Sequence, residues 1–161
     1  MHNDLIEENA VVGLHDCRTN HIRYAESTMV FEFPDGYYLL NSQEPKRTGK
    51  AEMRCHILDE EIDGFSIYIY RTKPSGKVIR EDWADNFLTA VNDGMFEFEF
   101  VSAYRSYQHI LFKGYVWFDT APYHMECEIE LHTDKIFYSW KFIISCYNFN
   151  GKYKIIRNML L

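Results

Sequence analysis

Phe and Glu alternate from Phe96 to Phe100 in this chain. Because successive side chains of a β-strand point to opposite faces, the three Phe residues share one face, and Glu97 and Glu99 share the other. This pattern is typical of an antiparallel strand with one buried face. Similar alternation, or a short apolar run, predicts further strands at residues 18–25, 29–33, 37–40, 51–57, 65–70, 109–118, 126–132, 136–147 and 153–157.

A helix is predicted where this period of two is interrupted. From Trp83 to Val91 the apolar residues recur at helical spacing, which indicates about three turns. Asp82 is a favourable N-cap residue, and Gly94 is the type of residue that commonly follows the last turn of a helix. We expect the apolar side of this helix to lie on a sheet.

Turn residues predict how the strands connect. Pro34, Asp35 and Gly36 predict a tight turn, so residues 29–33 and 37–40 should form a hairpin. Further turns or connections are predicted at residues 41–49, 59–64, 102–108, 133–135 and 150–151. Such short connections favour antiparallel pairing between strands that are consecutive along the chain.

The predicted elements indicate the fold class. About nine strands in one domain should curl into a barrel or split into two packed sheets. We therefore predict a mainly β fold, with α+β as the alternative class, in which an antiparallel barrel-like or two-layer sheet carries one packed helix. The 161 residues fit a single domain, with residues 1–12 as a loose N-terminal lead.

The net charge of the chain limits the classes of partner that it is expected to bind. The net charge of -7 argues against nucleic acid and against an anionic membrane surface, because both are bound through Lys and Arg. It is compatible with a basic protein partner, and it is also ordinary for a soluble protein. The first residues are polar and acidic, without the features of a signal peptide, and no apolar stretch is long enough to span a bilayer. We therefore expect a cytoplasmic protein.

Acidic and aromatic residues mark a candidate surface for binding a partner. If the predicted strands form a meander, the strand at 109–118 lies between the two glutamate rows at 97–99 and 126–130, and Lys113 points from it onto one face. The candidate residues for partner binding are Glu97, Glu99, Tyr115, Trp117, Glu126, Glu128 and Glu130. The alternative is a solvated sheet face that carries cross-strand ion pairs.

Histidine and cysteine offer a weaker candidate for a metal site. His15, Asp16, His124 and Cys127 are residue types that bind zinc. Their spacing argues against a site, because neighbouring residues of a strand, and residues at odd offsets, face opposite ways. We expect no cofactor, and we expect the four cysteines to be free thiols rather than disulfides.

Catalytic motifs are missing from the sequence. Phosphate-binding glycine loops and the GxSxG elbow are both absent. We expect a non-enzymatic binding protein, with a homodimer formed through an exposed strand edge or residues 159–161 as a further arrangement. A small-molecule-binding β-barrel is the alternative, and a hydrolase that uses a cysteine and a histidine is the third hypothesis.

Two segments carry a resemblance to known proteins. Leu14-His15-Asp16-Cys17-Arg18 leads into Phe31-Glu32-Phe33-Pro34-Asp35-Gly36-Tyr37, and Leu111-Phe112-Lys113-Gly114-Tyr115-Val116-Trp117-Phe118 follows later. They resemble small uncharacterised bacterial proteins of a kind associated with Firmicutes. A Leu-His-Asp opening before a first hairpin also resembles some proteins proposed as toxin-immunity factors. The resemblance implies a bacterial, cytosolic protein and an immunity-type inhibitor, and it implies no catalytic residue.

Overall fold

The computed structural model describes residues 11–40, 44–58 and 64–141 of the chain. The strands are β1 (Val12–Gly13), β2 (Cys17–Thr19), β3 (His21–Ala25), β4 (Thr28–Phe33), β5 (Tyr38–Leu39), β6 (Lys46–Arg47), β7 (Ala51–Ile57), β8 (Phe65–Thr72), β9 (Val78–Asp82), β10 (Glu97–Ser106), β11 (His109–Trp117) and β12 (His124–Trp140). Helix α1 (Ala84–Asn92) lies between β9 and β10. The predictions at residues 1–10, 41–43, 59–63 and 142–161, which include the hairpin at 150–151 and the strand at 153–157, lie outside the described residues.

The strands form two layers that share β12. The first layer has the order β2-β10-β11-β12-β8-β9, and the second has the order β12-β7-β4-β3, with every pairing antiparallel. The first half of β12 pairs with β11 and β8, and its second half pairs with β7. The predicted fold class, a mainly β antiparallel fold with two layers and one helix, is confirmed.

The barrel-like alternative is not formed. In the described part of the chain no pairing joins β3 to β2 or β9, so the sheet stays open at these edges. Aromatic rings fill the space between the layers. The ring of Phe31 on β4 lies 5.7 Å from that of Phe100 on β10 and 6.0 Å from that of Phe112 on β11. All three are essentially inaccessible to solvent, so aromatic side chains pack closely in this part of the core.

Helix α1 packs against the inner side of the first layer. Phe87 on the helix contacts Phe96 and Phe98, with ring centroids 5.2 Å and 6.2 Å away. The helix ends as predicted, because Gly94 adopts a φ of 72° and its N–H donates to the carbonyl of Val91. Trp83 occupies the N-cap position instead of the predicted residue. The Asp82 carboxylate nevertheless accepts a hydrogen bond from the N–H of Ala84 at 3.0 Å, so it still caps the first turn.

The predicted hairpin at residues 34–36 is wrong. The turn itself forms, with the N–H of Gly36 donating to the carbonyl of Phe33 and a φ of 73° at Gly36. After the turn, however, β5 does not return along β4. It pairs with β1 and β6 in a separate small sheet, and β4 pairs with β3 and β7. Both sides of β4 are therefore already occupied in the second layer.

Several further boundaries differ from the prediction, and one of them divides the strand predicted at residues 18–25 into β2 and β3, which lie in different layers. Residues 133–135 are not a turn, because β12 continues through them with a shift of register that moves it from one layer to the other. Residues 102–106 are not a connection, because β10 runs past a bulge between Phe100 and Ser102 and ends at Ser106. Strand β9 was not predicted, since its residues, Val-Ile-Arg-Glu-Asp, alternate poorly.

Within the described residues, no helix is long and apolar enough to cross a membrane.

Candidate binding face of the first layer

The candidate residues for partner binding lie on one face of the first layer. β11 pairs with β10 on one side and β12 on the other, so it separates the two glutamate rows as the sequence predicts. The second layer and α1 pack on the opposite, inner face. We call the outer surface the acidic face, and it is defined by Arg18, Tyr68, Tyr70, Arg80, Glu97, Glu99, Lys113, Tyr115, Trp117, Glu126, Glu128 and Glu130.

Arg18 neutralises one end of the acidic face. Its Nε donates to a carboxylate oxygen of Glu99 at 2.7 Å, and its Nη1 lies 3.5 Å from the carboxylate of Glu97. The guanidinium also stacks over Trp117, 4.8 Å from the ring centroid. Arg18 belongs to β2, which pairs with β10, and this places it directly opposite Glu99. The pair is therefore held by backbone register as well as by charge.

Glu128 is held by two partners at the centre of the acidic face. Lys113 Nζ on β11 lies 2.7 Å from one carboxylate oxygen, and the hydroxyl of Tyr70 on β8 donates to the other. Burial raises the pKa of Glu128, but the hydrogen bonds from Lys113 and Tyr70 outweigh it, so the pKa is lower than usual. The alternative of a sheet face with cross-strand ion pairs thus describes this part of the surface.

Glu126 has different surroundings, although it lies only two residues away. It sits directly opposite Tyr115 on β11 and Tyr70 on β8, so two tyrosines flank one carboxylate. Among the described residues no cation or hydrogen-bond donor pairs with this carboxylate, and the residue is exposed. Glu130, further along β12, lies 3.8 Å from His109 Nδ1 and is half exposed.

Aromatic side chains join Glu126 to the other end of the face. The rings of Tyr115 and Trp117 lie 6.4 Å apart, and His124 packs against both, at 5.4 Å and 5.1 Å. The indole N–H of Trp117 is buried and donates to no acceptor among the described residues. Tyr and Trp combine a large apolar surface with a polar group, and they are enriched in binding surfaces for that reason.

A cleft opens where the pairing of β8 with β12 stops. The last paired residues are Tyr70 and Glu126, and beyond them β12 leads back to a connection that contains Pro122 after a cis peptide bond. The cleft has a volume of about 670 Å³. Its wall includes the side chains of Tyr70, Trp83, Tyr115, Phe118, His124 and Glu126. One corner of the acidic face is therefore a concave site with aromatic walls and a carboxylate.

The candidate metal ligands are only partly brought together. His15 Nε2 lies 3.4 Å from the carboxylate of Asp16, and both side chains are exposed in a turn. His124 is exposed beside Tyr115 and Trp117, whereas Cys127 is buried in the core, because their odd spacing puts them on opposite faces of β12. Within residues 11–40, 44–58 and 64–141, no three His, Cys, Asp or Glu residues are grouped so as to hold a metal ion.

The described cysteines are buried free thiols. Cys17, Cys55 and Cys127 are each at most 1% exposed. Burial raises the pKa of Cys17 to about 11, and it raises the pKa of the other two thiols as well. A nucleophilic cysteine requires the opposite, a thiolate stabilised by neighbouring positive charge. The environment of these three residues therefore does not support the hydrolase hypothesis.

Sequence reasoning missed Arg18, Tyr68, Tyr70 and Arg80 as members of the face. The alternation in β8 places Tyr68 and Tyr70 opposite its buried isoleucines, so the sequence carried a signal for their orientation. It carried no signal for the pairing of β8 with β12, which are separated by more than fifty residues.

Comparison with known protein families, curated proteins and solved structures finds no match for this chain.

Proposed function

We propose that this protein is a non-enzymatic binding protein that covers a basic surface of a partner protein with the acidic face. The observation that carries the proposal is the combination of five glutamates with the contacting rings of Tyr115, Trp117 and His124 on the outer side of an open sheet. Among the residues that the structure describes, the acidic face takes its Lys and Arg charge from Arg18, Lys113 and Arg80. The excess of negative charge would attract a basic partner and orient it before contact.

The internal ion pairs support this function. Arg18 holds Glu99, and Lys113 and Tyr70 hold Glu128, so these carboxylates keep fixed positions without a partner. Glu97, Glu126 and Glu130 have greater freedom to meet new cations. A surface that is ordered in advance loses less conformational entropy on binding. Tyr115 and Trp117 lie among these carboxylates and would supply the apolar contact that a stable interface needs.

The proposal is compatible with an immunity-type inhibitor. Such a protein binds its target without chemistry, and its binding surface is expected to complement a functional surface of that target in charge. The sequence resemblance at residues 14–18 favours the same role. The partner would present lysine and arginine side chains around an apolar centre, because the acidic face presents glutamates around Tyr115 and Trp117.

A triple variant tests the proposal. A fluorescein-labelled twelve-residue peptide of alternating Arg and Ser serves as the basic probe, and fluorescence anisotropy measures its Kd at low and moderate salt. We expect Glu97→Gln, Glu126→Gln and Glu130→Gln together to weaken binding at least about tenfold, since three attractive charges are lost. Binding by the wild type should weaken as salt increases.

The control has the same change in net charge away from the acidic face. Glu26→Gln, Asp35→Asn and Asp85→Asn together also remove three negative charges, from the β3–β4 turn, the turn after β4 and the first turn of α1. This variant should change the Kd less than about threefold, as expected for a long-range effect of net charge alone. Equal weakening in both variants, or no binding of the peptide to the wild type, would contradict the proposal.

A further inference from the structure

The acidic face binds guanidinium groups of its own chain in two places. Arg18 lies between the ring of Trp117 and the carboxylate of Glu99. Arg80 stacks on the ring of Tyr68, with its central carbon 3.4 Å from the ring centroid. Arginine suits such sites because its planar cation stacks on aromatic rings while its N–H groups donate to a carboxylate.

A third position on this face combines aromatic rings with a carboxylate, as the Arg18 position does, but no guanidinium of the described residues pairs with that carboxylate. Glu126 is flanked in register by Tyr115 and Tyr70, as a carboxylate between two aromatic rings. Its neighbour Glu128 is occupied by Lys113 and Tyr70, whereas Glu126 is paired with no described cation. The cleft beside Glu126 adds Trp83 and Phe118 as apolar walls. Arg71 also borders the cleft, but its guanidinium pairs with Glu81 at 3.3 Å.

We infer that the cleft binds one arginine side chain of the partner protein, with its guanidinium on Glu126 between Tyr70 and Tyr115 and its methylene groups against Trp83 and Phe118. This inference rests on the proposed function, since it names the part of the basic partner that the acidic face recognises. The volume of about 670 Å³ is sufficient for a whole arginine side chain and part of its backbone. Charge complementarity selects the occupant, because the carboxylate of Glu126 lies in an aromatic setting that strengthens its attraction for a cation.

The first test uses a single arginine as the probe. N-acetyl-arginine amide is titrated into the full ¹⁵N-labelled chain, and the shifts of the Trp83 indole N–H and of the backbone N–H groups at 70, 115 and 126 are followed. We expect saturable shifts at these positions. N-acetyl-citrulline amide, which has nearly the same shape without the charge, should bind at least about tenfold more weakly.

Two variants on the same strand separate the cleft from the face as a whole. Glu126→Gln should weaken binding of N-acetyl-arginine amide at least about tenfold, because the charge-assisted hydrogen bonds are lost. Glu130→Gln removes the same charge from the same face outside the cleft, and we expect less than about a twofold change. Tyr115→Leu should weaken binding about threefold, whereas Tyr115→Phe keeps the ring and should restore it. The ¹⁵N spectrum of each variant shows whether it is folded.

The two proposals fail in different ways. Equal effects of Glu126→Gln and Glu130→Gln would overturn the arginine site, as would tighter binding of tetramethylammonium than of N-acetyl-arginine amide. If the single arginine does not bind but the basic peptide still distinguishes the two triple variants, the arginine site is wrong and the proposed function stands. If neither probe binds the wild type, both are wrong.

Discussion

Glu126 and Glu128 show how two residues of identical type and orientation acquire different roles. Both point outward from β12, and the alternation of the sequence predicts this. Their difference comes from the neighbouring strands. Lys113 and Tyr70 meet Glu128, whereas Glu126 is opposite two tyrosine rings. The sequence could not separate them, since Tyr70 belongs to a distant part of the chain.

The ion pair at Glu128 should make stability depend on pH. Its pKa is lower in the folded protein than the usual value of 4.5, so the unfolded chain binds this proton more readily. The stabilisation is present at neutral pH and is lost as the pH falls through the folded pKa. We expect Glu128→Gln to lower the free energy of unfolding by about 1 kcal/mol at pH 7, and we expect this difference to shrink as the pH falls below 4.5. Urea denaturation at several pH values measures this difference.

Glu130→Gln is the matched control for that prediction. Glu130 is on the same face of β12, but it is half exposed and lies 3.8 Å from His109. Exposed pairs of this kind contribute little to stability. A destabilisation by Glu128→Gln that stays constant between pH 7 and pH 3 would show that the loss comes from packing and not from charge.

Gly114 provides a prediction about packing in β11. A Cβ atom at this position would overlap the carbonyl oxygen of Glu99 and lie 2.9 Å from the ring of Phe98. Both groups are fixed in the neighbouring strand, so they cannot move aside. We expect Gly114→Ala to lower the free energy of unfolding by about 2 kcal/mol or more. Gly13→Ala is the comparison, because its Cβ would meet only the flexible side chain of Leu40, at 3.1 Å.

At the scale of elements, one side chain joins α1 to the second layer. The amide oxygen of Asn92 accepts from the N–H of Ile22 at 2.9 Å, and its nitrogen donates to the carbonyl of Ile22 at 2.8 Å. The side chain of Asn92 thus hydrogen-bonds to the backbone N–H and carbonyl of Ile22, as a neighbouring strand would. Because the residue is the last of the helix, it also fixes where α1 ends relative to β3.

We expect Asn92→Ala to destabilise the protein by about 1–2 kcal/mol, because two hydrogen bonds to one residue are lost and the gain in helix propensity offsets only part of them. Asn86→Ala is the control, since Asn86 is exposed on the same helix and gains the same propensity. Thermal or urea unfolding of both variants measures the difference. Equal stabilities of the two variants would contradict the role assigned to Asn92.

Some elements could be predicted from the sequence because their signals are local. Gly94 ends α1, and the alternation in β7 and β10 gives the buried faces correctly. Other features depend on distant residues. Thr133-Asp134-Lys135 has the composition of a turn, but β12 pairs with β11 and β8 before this segment and with β7 from Thr133 onward, and these pairings keep it extended. Likewise, β5 does not pair with β4, because β3 and β7 already occupy the two edges of β4.

For the whole molecule, the layers determine what the candidate site can be. The core between the layers contains closely packed Phe side chains. The acidic face and its cleft remain accessible on the outside. The glutamates and Tyr115 of this site were predicted from alternation within single strands. The cleft was not, because it depends on where β8 and β12 separate.

The position of β12 has a consequence for how the protein unfolds. One uninterrupted strand of 17 residues belongs to both layers, so neither sheet can lose its central strand without disrupting the other. The two layers should therefore behave as a single cooperative unit, and partial opening should be confined to the outer strands β2, β3 and β9. Amide protons along the middle of β12 should exchange with solvent only through global unfolding, which would give this strand the slowest hydrogen exchange in the described chain.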